Sequence, residues 1–257
     1  MKKKVYQKAI ELTNGPVTSG VLRRFAQSAK SRWVIPGYIK TYNITLDDID
    51  SPLDSFSSLH DFFIRKLKAA SRPTASAPIV SPVDGTIEAL GDLHEGIEFL
   101  VKNQQYSLAA LLGSDQMAEQ YQNGKYAVFY LSPADYHRIH SPVNGTVLKQ
   151  YLAGKKSYPV NRYGLLYGKT PLSGNYRMVT ELETDFGRLL VVKVGAMFIN
   201  SIELTNRGKE WKKGEEVGYF SFGSTVVLFF QENQVELLDD IAAGRQVKMG
   251  EAVANMI

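Results

Sequence analysis

Two textures divide the chain. Near the N-terminus Leu22, Phe25, Ala26, Ala29 and Trp33 recur at three- and four-residue steps, with Arg23, Arg24, Gln27, Lys30, Ser31 and Arg32 on the other side. That spacing predicts an amphipathic helix, capped by Thr18 or Ser19 and stopped by Pro36-Gly37. A second stripe, Leu59, Phe62, Phe63 and Leu67, predicts a helix that closes in the loop Ala69-Ala70-Ser71-Arg72-Pro73. After residue 75 the pattern becomes short β-branched and aromatic runs broken by Gly, Pro and Asn, as in 126–130, 179–183, 189–194 and 225–230. The expected fold is α+β: a helical, basic region over 1–73 and a mostly antiparallel β core over 74–257, with a short helix at 106–112.

An internal echo refines the β-rich half. Ser81-Pro82-Val83-Asp84-Gly85-Thr86-Ile87 returns as Ser141-Pro142-Val143-Asn144-Gly145-Thr146-Val147. Two equivalent turns feeding two equivalent strands resemble the opening of biotinyl- and lipoyl-type domains and suggest a barrel-sandwich arrangement.

Composition narrows the chemistry. The chain has no cysteine, which excludes disulfides, zinc–thiolate sites, iron–sulfur clusters and a thiol nucleophile. No apolar stretch reaches the roughly 18 to 20 residues of a membrane helix, and Met1-Lys2-Lys3-Lys4 leads into no apolar signal block, so a cytosolic chain is expected. Residues 1–40 hold nine Lys and Arg against Glu11 alone, +8, which leaves −4 on the rest of a chain of net charge +4. A basic arm on a mildly acidic body suits a polyanionic surface, either anionic lipid or nucleic acid. The basic residues stay within the first forty positions without stacking aromatics on a β surface, which disfavours nucleic acid.

Four histidines are present. His60, beside Asp61, and His94, in a polar loop, suit exposed structural roles. His137 and His140 stand together directly upstream of the second turn. A third metal ligand would have to be a carboxylate and no His-Glu-x-x-His helix accompanies the pair, so no metal is expected and acid–base work suits the pair better. Phe222-Gly223-Ser224-Thr225 reads as a tight hairpin, yet its apolar flanks would hold a Gly-Ser peptide rigidly beside a hydroxyl. Two alternatives stand at this level: a metal-dependent hydrolase using His137 and His140, and a non-catalytic barrel-sandwich module on a membrane.

Several segments together resemble the phosphatidylserine decarboxylase family. They are Ser-Pro-Val-Asp-Gly at 81–85, Tyr-Ser-Leu-Ala-Ala-Leu-Leu at 106–112, Asp-Tyr-His-Arg-Ile-His-Ser-Pro-Val-Asn-Gly at 135–145 and Phe-Gly-Ser-Thr-Val at 222–226. Asp61-Phe62-Phe63-Ile64-Arg65, Arg72-Pro73, Tyr158-Pro159-Val160-Asn161 and Thr184-Asp185-Phe186-Gly187 add to the match, which runs from about residue 55 to residue 230. The chain departs from the family pattern at Phe222, usually Leu, and at Tyr176, where Asn-Glu-Arg is usual.

The resemblance implies a self-processing, pyruvoyl-dependent proenzyme. In such a chain the Ser224 hydroxyl attacks the Gly223 carbonyl, the amide becomes an ester, and elimination followed by hydrolysis leaves a pyruvoyl group and ammonia. Cleavage between Gly223 and Ser224 then gives a β chain, 1–223, and an α chain, 224–257, that stay associated. By motif position His140 is the base and Asp84 the carboxylate that orients it, with Ser224 completing the triad. His137 is the proton donor in decarboxylation, and Tyr158 and Asn161 bind substrate. Phosphatidylserine, held as a Schiff base on the pyruvoyl, loses carbon dioxide to become phosphatidylethanolamine. The implied setting is the cytoplasmic side of an anionic cell membrane, with peripheral attachment by the N-terminal arm; a homodimer is compatible with it.

Overall fold

The computed structural model describes residues 16–93, 98–102, 104–156, 158–160, 165, 170–196, 202–221 and 224–257, the side chains of 16–19 and Ser224 excepted. Six α-helices are assigned among them: α1 (Pro16–Gln27), α2 (Ile35–Tyr42), α3 (Leu59–Phe63), α4 (Leu108–Leu112), α5 (Asp115–Glu119) and α6 (Pro171–Gly174). The strands are β1 (Ile79–Val80), β2 (Gly85–Asp92), β3 (Glu98–Val101), β4 (Gln104–Ser107), β5 (Lys125–Leu131), β6 (Arg138–His140), β7 (Gly145–Ala153), β8 (Arg177–Thr184), β9 (Gly187–Gly195), β10 (Ile202–Leu204), β11 (Glu210–Trp211), β12 (Glu216–Phe220), β13 (Ser224–Phe230), β14 (Val235–Leu237), β15 (Gln246–Val247) and β16 (Ala252–Met256).

The fold is α+β with antiparallel sheets, as expected. An eight-stranded sheet runs β11-β7-β8-β9-β13-β5-β2-β15; β1-β16-β14 and β10-β12-β6 form two smaller sheets, and β3-β4 a hairpin. The large sheet ends in β11 and β15 and does not close on itself among the described residues. Its central strands are apolar on both faces because both are covered. Val226, Leu228 and Phe230 share one core with Phe129, Leu131, Leu189 and Val191, while Val227 and Phe229 share a second with Val128, Leu190 and Val192.

The repeated turns are equivalent in detail. Ser81 Oγ donates to Val83 O and Ser141 Oγ to Val143 O, each at 2.7 Å. Each turn is closed by a Lys-x-Gly-Glu segment, 248–251 for the first and 212–215 for the second. Gly250 N donates to Ser81 O and Gly214 N to Ser141 O; Met249 N donates to Asp84 Oδ1 and Lys213 N to Asn144 Oδ1. The two turns also clasp each other, His140 N donating to Pro82 O at 2.9 Å and Val80 N to Pro142 O at 3.0 Å.

The N-terminal unit has its own core of Ile35, Ile44, Ile49, Phe56, Leu59 and Phe62. It docks on the 132–138 loop, where Tyr38 OH donates to Pro133 O (2.9 Å), Arg65 Nη2 to Ala134 O (2.6 Å) and Arg138 Nε to Ile64 O (2.9 Å).

Several boundaries differ from expectation for local reasons. α1 begins at Pro16, so Thr18 and Ser19 lie inside it, and Pro36 stands in the first turn of α2, where its missing N–H is harmless, instead of ending a helix. The first helix stops at Gln27, where Ser28 N and Oγ both turn back to Phe25 O. Ser58 caps α3, which stops at Phe63, and Leu67 instead bridges to Ile49. The 106–112 segment is divided by Ser107, whose side chain accepts from Ala110 N and starts α4 only at Leu108. The hairpin reading around Gly223 is overturned, because β12 pairs with β10 and β6 whereas β13 pairs with β5 and β9.

Candidate active site

The first turn presents Asp84 and the strand entering the second presents His140, and the clasp between the turns brings them near each other. The Asp84 carboxylate is fully engaged. Arg72 grips it through Nε (2.9 and 3.0 Å) and Nη2 (2.5 Å), and Met249 N donates to Oδ1 at 2.8 Å. Arg72 Nη1 reaches on to Asp48 at 2.9 Å, which ties the N-terminal unit to the turn.

His140 is oriented by a backbone carbonyl instead of by Asp84. Its Nδ1 lies 2.8 Å from Gly214 O and its Nε2 3.2 Å from Tyr136 OH. A carbonyl only accepts, so Nδ1 carries the proton in the neutral ring and Nε2 holds the lone pair, which accepts from Tyr136. Burial lowers the His140 pKa from its ordinary value, against the pull of the Gly214 carbonyl, Glu216 and Asp84. The ring is therefore a neutral base with its basic nitrogen under a tyrosine hydroxyl. The expected Asp84–His140 hydrogen bond is replaced by a longer-range charge effect.

His137 is fully buried and stacks on Phe63, ring centroids 3.9 Å apart. Its Nε2 donates to Ser132 O at 2.9 Å. Desolvation, then the nearby Arg65 charge, pushes its pKa down to about 3, against the Ser132 carbonyl. The two imidazoles thus have separate partners and do not converge on one ion. Among the described residues no group of three or more His, Asp or Glu could hold a metal.

Ser224 opens β13 in register with Leu131 on one side and Gly195 on the other. Gly223, and with it the expected cleavage junction, lies outside the described residues, as do Phe222, Asn161 and His94. Tyr158 N and O are both held by the fully buried amide of Asn175, which also donates to Gly195 O at 2.9 Å. Position 176 acts through its backbone, Gly195 N donating to Tyr176 O at 2.9 Å, so a tyrosine in place of glutamate leaves that bond intact.

Sequence reasoning gave no role to Tyr136, Gly214, Met249 or Arg72. The signal that could have found Gly214 and Met249 is the second echo, Lys212-Lys213-Gly214-Glu215 against Lys248-Met249-Gly250-Glu251.

Asp84 and the neutral imidazole of His140 thus stand on a mutually clasped pair of turns, and β13, a central strand of the large sheet, opens with Ser224. The sequence profile of the phosphatidylserine decarboxylase family matches residues 59–255. The chain is 48% identical over 255 residues to the phosphatidylserine decarboxylase proenzyme of Geobacillus sp. (strain WCH70), covering 98% of each. It is 45% identical to the proenzyme of Bacillus thuringiensis subsp. konkukian (strain 97-27) and 46% to that of Bacillus cereus (strain ATCC 10987 / NRS 248), each over 259 residues, 100% of this chain and 99% of the relative. The chain belongs to the phosphatidylserine decarboxylase family.

Proposed function

We propose that this decarboxylase is made as a proenzyme that cuts itself between Gly223 and Ser224 and converts phosphatidylserine to phosphatidylethanolamine and carbon dioxide. The observation that carries the reading is the His140 tautomer. With Nδ1–H fixed on Gly214, Nε2 is the nitrogen left to take a serine proton once Tyr136 yields its place, as a general base must. Asp84 and Glu216 favour the imidazolium that results through their charges.

The surroundings of position 224 suit a covalent group formed there. Cleavage would leave β13 clamped by seven register pairs to β5 and seven to β9, with β15 and β16 still paired to β2 and β1. The two pieces therefore stay together without a linker. A pyruvoyl group at position 224 supplies the electron sink that decarboxylation requires. His137 is the proton donor in our reading. Its ring is neutral in the resting site, and an anion brought near it raises the proton affinity that burial and Arg65 lower. Asn175 holds Tyr158 and also bonds Gly195, the register partner of Ser224, which supports a substrate-binding role for Tyr158 and for Asn161 three residues on.

The paired turns support a barrel-sandwich ancestry for the β half. Peripheral membrane attachment on the cytoplasmic side is supported by α1 and the turn after it. There Val21 (62% exposed), Leu22, Phe25 and Trp33 (76%) face solvent beside Arg23, Arg24, Lys30 and Arg32. No described helix is long and apolar enough to cross a membrane.

Intact mass and a denaturing gel test the reading. Two pieces corresponding to 1–223 and 224–257, the smaller with a blocked N-terminus, are expected. Ser224→Ala and His140→Ala should give one band; His137→Ala should process but form no phosphatidylethanolamine. An unbroken 257-residue wild-type chain rejects the proposal. The wild type should also sediment with phosphatidylserine-containing vesicles, and Trp33→Ser should weaken this; unchanged sedimentation removes the arm from the membrane reading.

A further inference from the structure

Between the N-terminal unit and the first turn lies a cavity of about 370 Å³, in the size range of small-ligand sites. Asp48, Arg65 and Arg72 line it from one side and Asp84, Asp135 and Tyr136 from the other. Tyr136 joins this space to the reaction centre through the contact of its hydroxyl with His140 Nε2.

The two arginines differ sharply. Arg72 is saturated by the carboxylates of Asp84 and Asp48. Arg65 is 4% exposed and has no carboxylate within ion-pair distance among the described residues. Its Nη2 donates to the carbonyls of Ala134 and Asp135, at 2.6 and 3.0 Å, and its guanidinium lies over the Phe62 ring. Its Nε and Nη1 are buried with no hydrogen-bond partner among the described residues. A buried cation with unmet donors is costly on its own, and an oxyanion entering the cavity offsets that cost.

We propose that Arg65 binds the phosphodiester of the serine phospholipid, its guanidinium turning so that the buried Nε and Nη1 donate to the free oxygens, and that this cavity is the headgroup subsite. The assignment rests on the Asp84–His140 region being the reaction centre. Of the two headgroup anions, the carboxylate has to leave as carbon dioxide. A guanidinium on it would stabilise the bound substrate against that loss. The phosphodiester is unchanged in the product, so holding it leaves the chemical barrier untouched.

Steady-state kinetics of the processed Arg65→Gln enzyme with short-chain phosphatidylserine test this. KM should rise roughly ten- to hundredfold, the loss of a charge-assisted hydrogen bond, with the fall in kcat/KM carried by KM. The inhibition constant of short-chain phosphatidylethanolamine should rise by the same factor, and that of free serine, which lacks the phosphate, should not move. An unchanged KM overturns the assignment. A raised KM with an unchanged phosphatidylethanolamine constant puts Arg65 on the carboxylate and overturns it equally. Arg65→Lys keeps a cation in the cavity and should process with an intermediate KM. If neither variant is processed, the work of Arg65 is to build the Ala134–Asp135 loop and the assignment falls. If the wild type itself forms no phosphatidylethanolamine, the reaction reading fails instead, and calorimetric binding of short-chain phosphatidylethanolamine to wild type and Arg65→Gln still decides the subsite.

Discussion

The turns at 81–87 and 141–147 share their hydrogen bonds, the same serine clasp and the same Lys-x-Gly-Glu partner, yet they differ at the two positions to which the proposed mechanism gives chemistry. The first carries Asp84 where the second carries Asn144, and the second is preceded by His140 where the first is preceded by Val80. In the proposed mechanism each copy therefore holds half of an acid–base pair, in a scaffold that the other copy shows to be sufficient without it. Asn144 Oδ1 accepts from Lys213 N at 2.9 Å as Asp84 Oδ1 accepts from Met249 N at 2.8 Å, so the carboxylate is not needed to make the turn. What the carboxylate adds is charge, and Arg72 fixes where that charge sits.

Exchanging the two side chains is the most severe test of this difference. Asp84→Asn keeps the Met249 bond, leaves Arg72 with Asp48 as its one carboxylate partner and removes one of the two charges that favour protonated His140. Self-cleavage should slow by roughly a hundredfold or more, within the range of general-base contributions. Asn144→Asp should process at nearly the wild-type rate. Rates from pulse-labelled chains on a denaturing gel decide it. Equal rates for the two variants would make the turns chemically interchangeable and remove Asp84 from the mechanism.

Much of this organisation can be read from residues alone, and the reasons differ by element. The echo at 81–87 and 141–147 is legible because a Pro-x-[Asp/Asn]-Gly turn has strong local chemistry, and the central strands are legible because their apolar runs are continuous. The partners are harder to read, because they reach the turns from segments 12 to 165 residues away: Gly214 and Met249 leave only the Lys-x-Gly-Glu echo, and Arg72 leaves no repeat at all. The orientation of His140 by a carbonyl is a further case: main-chain acceptors leave no mark on the sequence. The buried state of His137 is equally silent, since Phe63, which stacks on it, comes from the N-terminal unit.

The glycines that close the two turns sharpen the comparison at the level of stability. Gly250 has φ +89° and Gly214 φ +80°, so alanine is strained at both by about 1 kcal/mol or more. A Cβ on Gly250 would stand 2.6 Å from the Pro73 carbonyl, which is backbone and cannot turn away, whereas one on Gly214 meets the side chain of Thr74, which can. Gly250→Ala should cost about 2–4 kcal/mol and Gly214→Ala about 1–2 kcal/mol in denaturant unfolding of processed protein. Gly214→Ala should in addition slow self-cleavage, because the Gly214 carbonyl holds the His140 tautomer. Equal unfolding costs would show that the two turn closures are held alike.

The gentlest probe is pH, because only the second turn is preceded by a group that titrates. Burial holds the His140 pKa below its ordinary value of about 6.5, so the ring remains a neutral base as the medium is acidified through that point. The rate of self-cleavage should stay flat from pH 8 to about 6.5 and fall only below it; a fall centred at or above 6.5 would contradict the buried neutral base. Stability follows the same sign. An imidazole whose folded pKa is depressed binds fewer protons than in the unfolded chain, so its contribution is complete above about pH 6.5 and is lost as pH falls toward the folded value. For His137 that window runs from about 6.5 to about 3. His137→Phe, which keeps an aromatic ring against Phe63, should flatten the acid limb of the unfolding curve over this range. Glu216→Gln removes an anion that raises the His140 pKa and should move the acid limb of self-cleavage to lower pH, a shift smaller than any effect of Asp84 or of the two glycines.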